Sequence, residues 1–229
     1  MATLFAFGDS FTQGVGLERH ITHHVITPSR LAWPQCTADI LGINVNNLGV
    51  GGHSNKAISY DVINNLHRIS SEDIVVIMWC TSFYRNMILT DDGVNMQFCP
   101  STAINSDDPG HEISEFIYRY MSDKPNIIYD QSVLFVATDA AVRQKTHQVL
   151  HVMCEPLERE NDVSGHDLAV WQHVIDQPWV YDIFQPEIGL FDRTVRPWSA
   201  EYDNHYSKEQ HAAFSQRLSK VITQKFLTP

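Results

Sequence analysis

No run of apolar residues in this chain is long enough to cross a membrane. The longest, Ile74 to Cys80, has seven residues, against roughly 20 for a spanning helix. Basic residues are scarce: Lys and Arg number 16 against 27 Asp and Glu, a formal charge of −11. They form no cluster, so neither nucleic acid nor an anionic membrane surface is an expected partner. The four cysteines, Cys36, Cys80, Cys99 and Cys154, form no Cys-x-x-Cys pair and read as buried thiols rather than disulfides. The N-terminal stretch has no basic residue ahead of its short apolar segment. A secretory signal is therefore not expected, and the reducing cytoplasm is the expected compartment. Also missing are a Gly-x-Ser-x-Gly elbow, a Walker loop, Gly-x-Gly-x-x-Gly and His-Glu-x-x-His, which sets aside the α/β-hydrolase, P-loop, Rossmann and zincin readings.

What is present is an ordinary globular mixture. The 229 residues are 43% hydrophobic and 19% charged, enough to bury one sizeable core, and the whole chain 1–229 reads as a single domain. The 12 histidines make the surface charge steeply pH-dependent: protonating all of them would bring the formal charge to about +1.

Leu4 to Phe7 reads as a buried strand ended by the turn Gly8-Asp9-Ser10. Leu31 to Leu41 reads as a helix with Gly42 as its stop, and Ile43 to Leu48 as a second strand running into Gly49-Val50-Gly51-Gly52. Ile58, Val62, Leu66 and Ile69 fall at helical spacing, so a helix is expected over Asn55 to Ile69, with Ser54 as its cap. The unbroken run Ile74 to Trp79 predicts a strand buried on both faces. Thr90 to His111 is rich in turn residues and reads as a loop, part of a lid or insertion around 89–125. Helices are expected near Glu112 to Met121 and Ile127 to His147, and a strand over Val149 to Met153. Glu155 to Pro197 reads as irregular, with a short helix around Asp167 to Asp176. Ser207 to Gln210 has the capping-box pattern Ser-x-x-Gln, ahead of an apolar stripe of Phe214, Leu218, Ile222 and Phe226. Strands alternating with helices predict an α/β fold with a parallel sheet, and a ligand site at the carboxyl ends of its strands.

Four blocks stand at those ends or just before a helix: Phe7-Gly8-Asp9-Ser10, Asn47 to Asn55, Trp79-Cys80-Thr81-Ser82, and Asp203-Asn204-His205. Each is unremarkable alone, since Gly-Asp-Ser is a common turn and a glycine loop usually marks a close backbone approach. Together, in this order, they resemble the SGNH, or GDSL-type, hydrolase family over nearly the whole chain. The sequence is a variant of that pattern, with Thr81 where the family usually has an asparagine and Asp-x-His in place of Asp-x-x-His. The resemblance implies a flavodoxin-like three-layer α/β/α sandwich around a five-stranded parallel sheet. It implies hydrolysis of a small-molecule, carbohydrate or lipid ester, without cofactor or metal. Ser10 corresponds to the nucleophile, Asp203 and His205 to the acid and base, and Ser10, Gly52 and Thr81 to the donors of an oxyanion hole.

The chemistry asks for those residue types. A serine hydroxyl is a weak nucleophile unless a base lies within hydrogen-bond reach. Imidazole serves when a carboxylate fixes its tautomer, and the tetrahedral oxyanion needs preorganised donors. Glu201 is the alternative acid. A non-catalytic binding protein on this fold and an O-acyltransferase are the alternative functions. His20, His23 and His24 have no carboxylate or cysteine group beside them and read as a solvated or substrate-facing loop. His53 is expected in the pocket wall or at the surface, and Trp79 in the core or the pocket wall. Arg85 is expected to meet an anionic group or a salt-bridge partner.

Overall fold

The computed structural model describes residues 1–17, 27–79, 86–89, 95–98, 124–154, 174, 176–182 and 206–228. Five strands make one sheet: β1 (Thr3–Gly8), β2 (Asn44–Gly49), β3 (Ile74–Trp79), β6 (Val149–Met153) and β7 (Val180–Asp182). Their order is β2-β1-β3-β6-β7 and every neighbouring pair is parallel. That is the flavodoxin-like arrangement, with the chain leaving β1 in one direction along the sheet and returning past it in the other.

The continuous apolar runs are explained by burial on both faces. Successive side chains of a strand point to opposite sides. Leu4, Ala6, Ile74, Val76, Met78, Leu150 and Val152 face one side, with Trp33 and Ala38 of α2 (Trp33–Leu41) and Phe214, Leu218 and Ile222 of α5 (Lys208–Ile222). Phe5, Phe7, Val75, Ile77, Trp79, Val149 and Met153 face the other, with Ile58 and Val62 of α3 (Asn55–Asn65) and Phe135 and Val142 of α4 (Lys124–Arg143). The result is a three-layer α/β/α sandwich, as the resemblance implied.

Local signals set most helix ends. Pro34 sits in the first turn of α2, where its missing N–H costs nothing, and Gly42 closes the helix at φ 66° with its N–H on the Ala38 carbonyl. The Ser54 hydroxyl caps α3 and Ser207 with Gln210 forms a full capping box on α5. The expected helix over Asn55 to Ile69 stops at Asn65 and tightens into a 3₁₀ turn over Leu66–Arg68. That over Ile127 to His147 begins earlier, at Lys124, and ends at Arg143. It stops there because the Thr146 hydroxyl donates to the Asp73 carbonyl at 2.8 Å and draws the chain to the start of β6. Phe226 falls in a π-helical turn, Thr223–Leu227, after α5.

Two expectations are corrected. Glu155 to Pro197 is not irregular throughout, because β7 lies within it; its three residues are too few to show a period, and pairing with β6 defines it. The loop expected over Thr90 to His111 contains β5 (Asn95–Phe98), which pairs antiparallel with β4 (Asn86–Leu89) in a separate two-stranded sheet. The expected helices over Glu112 to Met121 and around Asp167 to Asp176 lie outside the described residues, apart from isolated positions of the second. Among the described residues, no helix is long and apolar enough to cross a membrane.

Candidate active site

Ser10 opens α1 (Ser10–Gln13), a single turn directly after β1. Asp9 explains why the chain turns there. It is fully buried, its side chain accepts the Phe11 N–H at 3.1 Å, and its carbonyl accepts those of Thr12 and Gln13 at 3.0 Å. Gly14 ends the turn at φ 80°. The serine is thus held at the carboxyl edge of the sheet by backbone bonds, and is almost wholly enclosed.

The loop after β2 lies directly against this turn. Asn47 joins them: its amide donates to the Thr12 carbonyl at 2.8 Å while its carbonyl oxygen accepts the Gly49 N–H at 3.0 Å. Gln13 closes the other side, its side-chain oxygen accepting the Gly51 N–H at 2.7 Å. At Gly49 the contact is close enough to require glycine. A methyl group on Gly49 would meet the backbone of Thr12 and Gln13, and one on Gly51 would stand 3.9 Å from the Ser10 Cβ. Gly52 follows at φ 82°.

An account of the N–H groups here singles out two. Phe11, Thr12 and Gln13 spend theirs on Asp9, while Gly49, Val50, Gly51 and His53 spend theirs on Asn47, Gly8, Gln13 and Val50. Those of Ser10 and Gly52 have no acceptor among the described residues.

Tyr206, which follows the last block in the sequence, lies in the same neighbourhood. The ring of Tyr206, the residue after His205, packs on that of Phe11, the residue after Ser10, with centroids 4.3 Å apart. Behind it, His211 Nδ1 accepts the Trp33 N–H at 3.0 Å and the Ser215 hydroxyl donates to the Trp33 carbonyl at 3.1 Å, latching the start of α5 to the start of α2.

Of the residues singled out from the sequence, the structure brings Ser10 and Gly52 into adjoining segments. Thr81, Asp203 and His205 lie outside the described residues, as do Ser82, Arg85, Glu201, His20, His23, His24, Cys80 and Cys99. His53 is largely enclosed, its Nδ1 3.0 Å from Asp61 Oδ2 without hydrogen-bond alignment. Trp79 is in the core. Cys36 carries a free thiol, and burial pushes its pKa up, with the Asp39 charge adding to the effect. Asn47 and Gln13 were not singled out, although each stands in or beside a quoted block. Among the described residues, no group of three or more His, Cys, Asp or Glu is placed to hold a metal ion.

The sequence reading also passed over a buried polar group on the α3–α4 side of the sheet. His151, in β6, has no solvent exposure. Its Nε2 lies 2.9 Å from Asp139 Oδ1, and its Nδ1 accepts the Trp79 indole N–H at 3.0 Å. The Arg143 Nε donates to both Asp139 oxygens at 2.8 and 2.9 Å. Burial lowers the His151 pKa against the opposing pull of Asp139. Burial works to raise that of Asp139, but the His151 and Arg143 hydrogen bonds outweigh it and leave the carboxyl below its ordinary range. A histidine beside an aspartate invites a catalytic reading, yet both ring nitrogens are engaged and the ring is sealed from solvent. It is not a base for Ser10.

No family model matches the chain, and no curated protein does. Solved structures do. A member of the lipolytic G-D-S-L family from Veillonella parvula aligns over 98% of this chain and 100% of its own, with TM-score 0.54 and 15% identity. A carbohydrate acetylesterase from Sinorhizobium meliloti aligns over 99% and 100%, with TM-score 0.54 and 12% identity. A carbohydrate esterase family 2 enzyme with a carbohydrate-binding domain, from Corynascus thermopiles, aligns over 97% of this chain and 66% of its own, with TM-score 0.56 and 13% identity. The fold is that of the SGNH/GDSL-type hydrolases.

Proposed function

We propose that this protein is a serine esterase that hydrolyses a small acyl ester, with Ser10 as nucleophile. The observation that carries the reading is the pair of unspent N–H groups, Ser10 and Gly52, in two segments that the structure holds side by side. A folded chain usually pairs such groups where they are buried; Ser10 is buried, and Gly52 beside it is exposed and open to a ligand. Two N–H groups without an acceptor among the described residues, beside a serine at the carboxyl edge of a parallel sheet, suit a developing oxyanion.

In this reading the Ser10 hydroxyl adds to the ester carbonyl and gives its proton to His205, while Asp203 holds the imidazole. The oxyanion is met by the Ser10 and Gly52 N–H groups and the Thr81 hydroxyl. Collapse breaks the ester C–O bond, His205 protonates the departing alcohol, and water then hydrolyses the acyl-serine with His205 as base. The Phe11–Tyr206 ring contact supports the assignment of His205, because it ties the residue after the base to the residue after the nucleophile. An ester of a carbohydrate or lipid fits the named activities of the structural neighbours. The chain is read as one domain, with 89–125 as a lid or insertion; the separate β4–β5 sheet supports this. The free thiol of Cys36 suits a cytoplasmic setting.

A fluorophosphonate probe tests the reading. Ser10 should carry the adduct by mass spectrometry, and Ser10→Ala should lose both labelling and hydrolysis of short-chain nitrophenyl esters and acetylated sugars. His205→Ala should lower kcat by about three orders of magnitude. Labelling at another residue would overturn the assignment, as would active protein that takes no label.

A further inference from the structure

The buried group around His151 has a direction that its role in packing does not explain. Trp79 has a single N–H and no acceptor, so its bond to His151 Nδ1 requires that nitrogen to be bare. The ring proton is then on Nε2, where it is donated to Asp139 Oδ1. Asp139 in turn accepts from Arg143, whose guanidinium lies over the Trp179 ring with its carbon 4.0 Å from the centroid. Phe135 seals the chain of bonds, its ring centroid 4.3 Å from that of His151 and 5.6 Å from that of Trp79. The imidazole and indole planes are within 10° of each other.

Around this chain of bonds the core is apolar. Apolar side chains of similar volume often replace a buried polar network at no loss of stability, because the network has first to recover its desolvation cost. What the polar version adds is orientation. It ends on Trp79, the last residue of β3, whose partner in the register is Met153, the last residue of β6. Two residues further along the chain is Thr81.

We infer that Asp139 and His151 are positioning residues: they hold the Trp79 indole in one orientation and so fix the carboxyl end of β3, next to β1 and the Ser10 turn that follows it. This rests on the esterase reading, and within it the relay keeps the end of β3 in register beside the Ser10 turn, since β1 pairs Phe7 with Ile77 two residues before Trp79.

Two substitutions of His151 test it, with p-nitrophenyl acetate as substrate. Gln preserves the bonding pattern, since its side-chain oxygen accepts from Trp79 and its amide donates to Asp139. Phe fills the space and keeps neither bond. The relay predicts that His151→Phe lowers kcat about tenfold or more with KM within about twofold, and that His151→Gln recovers most of the loss. The indole proton resonance of Trp79, assigned by its disappearance in Trp79→Phe, should move in His151→Phe and return in His151→Gln. A packing role predicts the opposite order, with the apolar ring equal to or better than the amide, and that result would overturn the inference. Should His151→Phe fail to fold, Trp79→Phe deletes the same bond from the other end and should show the same fall in kcat at unchanged KM; full activity there would also overturn it. The wild type separates the two levels. Activity that is lost in Ser10→Ala but not in the relay variants removes the relay alone. A wild type with neither labelling nor hydrolysis removes the esterase reading and the relay with it.

Discussion

The two edges of the parallel sheet are closed by opposite means. At the amino edge, side chains do the closing. The Asp73 carboxylate accepts the Thr3 N–H at 2.9 Å and both the N–H and hydroxyl of Ser70 at 2.8 Å, and Thr146 bonds the Asp73 carbonyl. At the carboxyl edge, missing side chains do it. Gly8 and Gly49 let α1 pack against the ends of β1 and β2 within a distance that any Cβ would prevent. At the amino edge these polar groups bond one another, whereas at the carboxyl edge the Ser10 and Gly52 N–H groups have no acceptor among the described residues.

Substitutions at the two edges should therefore separate stability from activity. The largest effect is expected for Gly49→Ala. Its methyl meets backbone, which cannot rotate away, so unfolding in urea should show a loss of about 3 kcal/mol. Fluorophosphonate labelling of Ser10 should fall as well, since α1 is displaced. Asp73→Ala removes three charge-assisted bonds at the far edge and should cost about 2 kcal/mol of stability. Its kcat should stay within about twofold of wild type; a larger loss would mean that the edges are not independent.

The next effect depends on pH. Burial holds the folded His151 pKa below its ordinary 6.5, so the unfolded chain takes up the proton first on acidification. His151 therefore favours folding fully above that value and progressively less below it, with a slope of at most about 1.4 kcal/mol per pH unit. Asp139, also lowered from its ordinary 3.8, acts in the same direction: its contribution is present above that value and lost only at still lower pH. Urea unfolding at pH 7.5 and 5.5 should show wild type losing more stability than His151→Gln. Equal losses would place the proton elsewhere. The smallest effect is expected for Gly52→Ala. The space around it is open and only its φ of 82° opposes a side chain, so about 1 kcal/mol should be lost in the same assay.

How far the fold was legible differs element by element. Ile74 to Trp79 and Val149 to Met153 were read with the bounds that the structure shows, because strands buried on both faces leave runs that are apolar throughout in the first and apolar but for His151 in the second. Ser207 and Gln210 announced α5, because a capping box lies within four residues. β2 was less clear. It is an edge strand of sequence Asn-Val-Asn-Asn-Leu-Gly, with its asparagines half-exposed rather than buried. β7 had no signal at all, since three residues show no periodicity.

The candidate site divides along the same line. Ser10 and Gly52 could be picked out because each stands beside a strand or glycine signal that is local to it. The roles of Asn47 and Gln13 could not, since Asn47 bonds Thr12 across 35 positions and Gln13 bonds Gly51 across 38. His151 is the sharpest case. Within Val-Leu-His-Val-Met it interrupts an apolar strand, and nothing nearby in the chain says what satisfies it. Its partners are an aspartate on α4 and a tryptophan 72 positions away on β3. Caps, stops and the two-residue and 3.6-residue periods depend on neighbours in the chain, and the amino-acid order alone determined them. Which donors are consumed and which are left for a ligand depends on groups that only the packing of β1, β2, β3 and β6 brings within 3 Å, and the tertiary structure alone decided it.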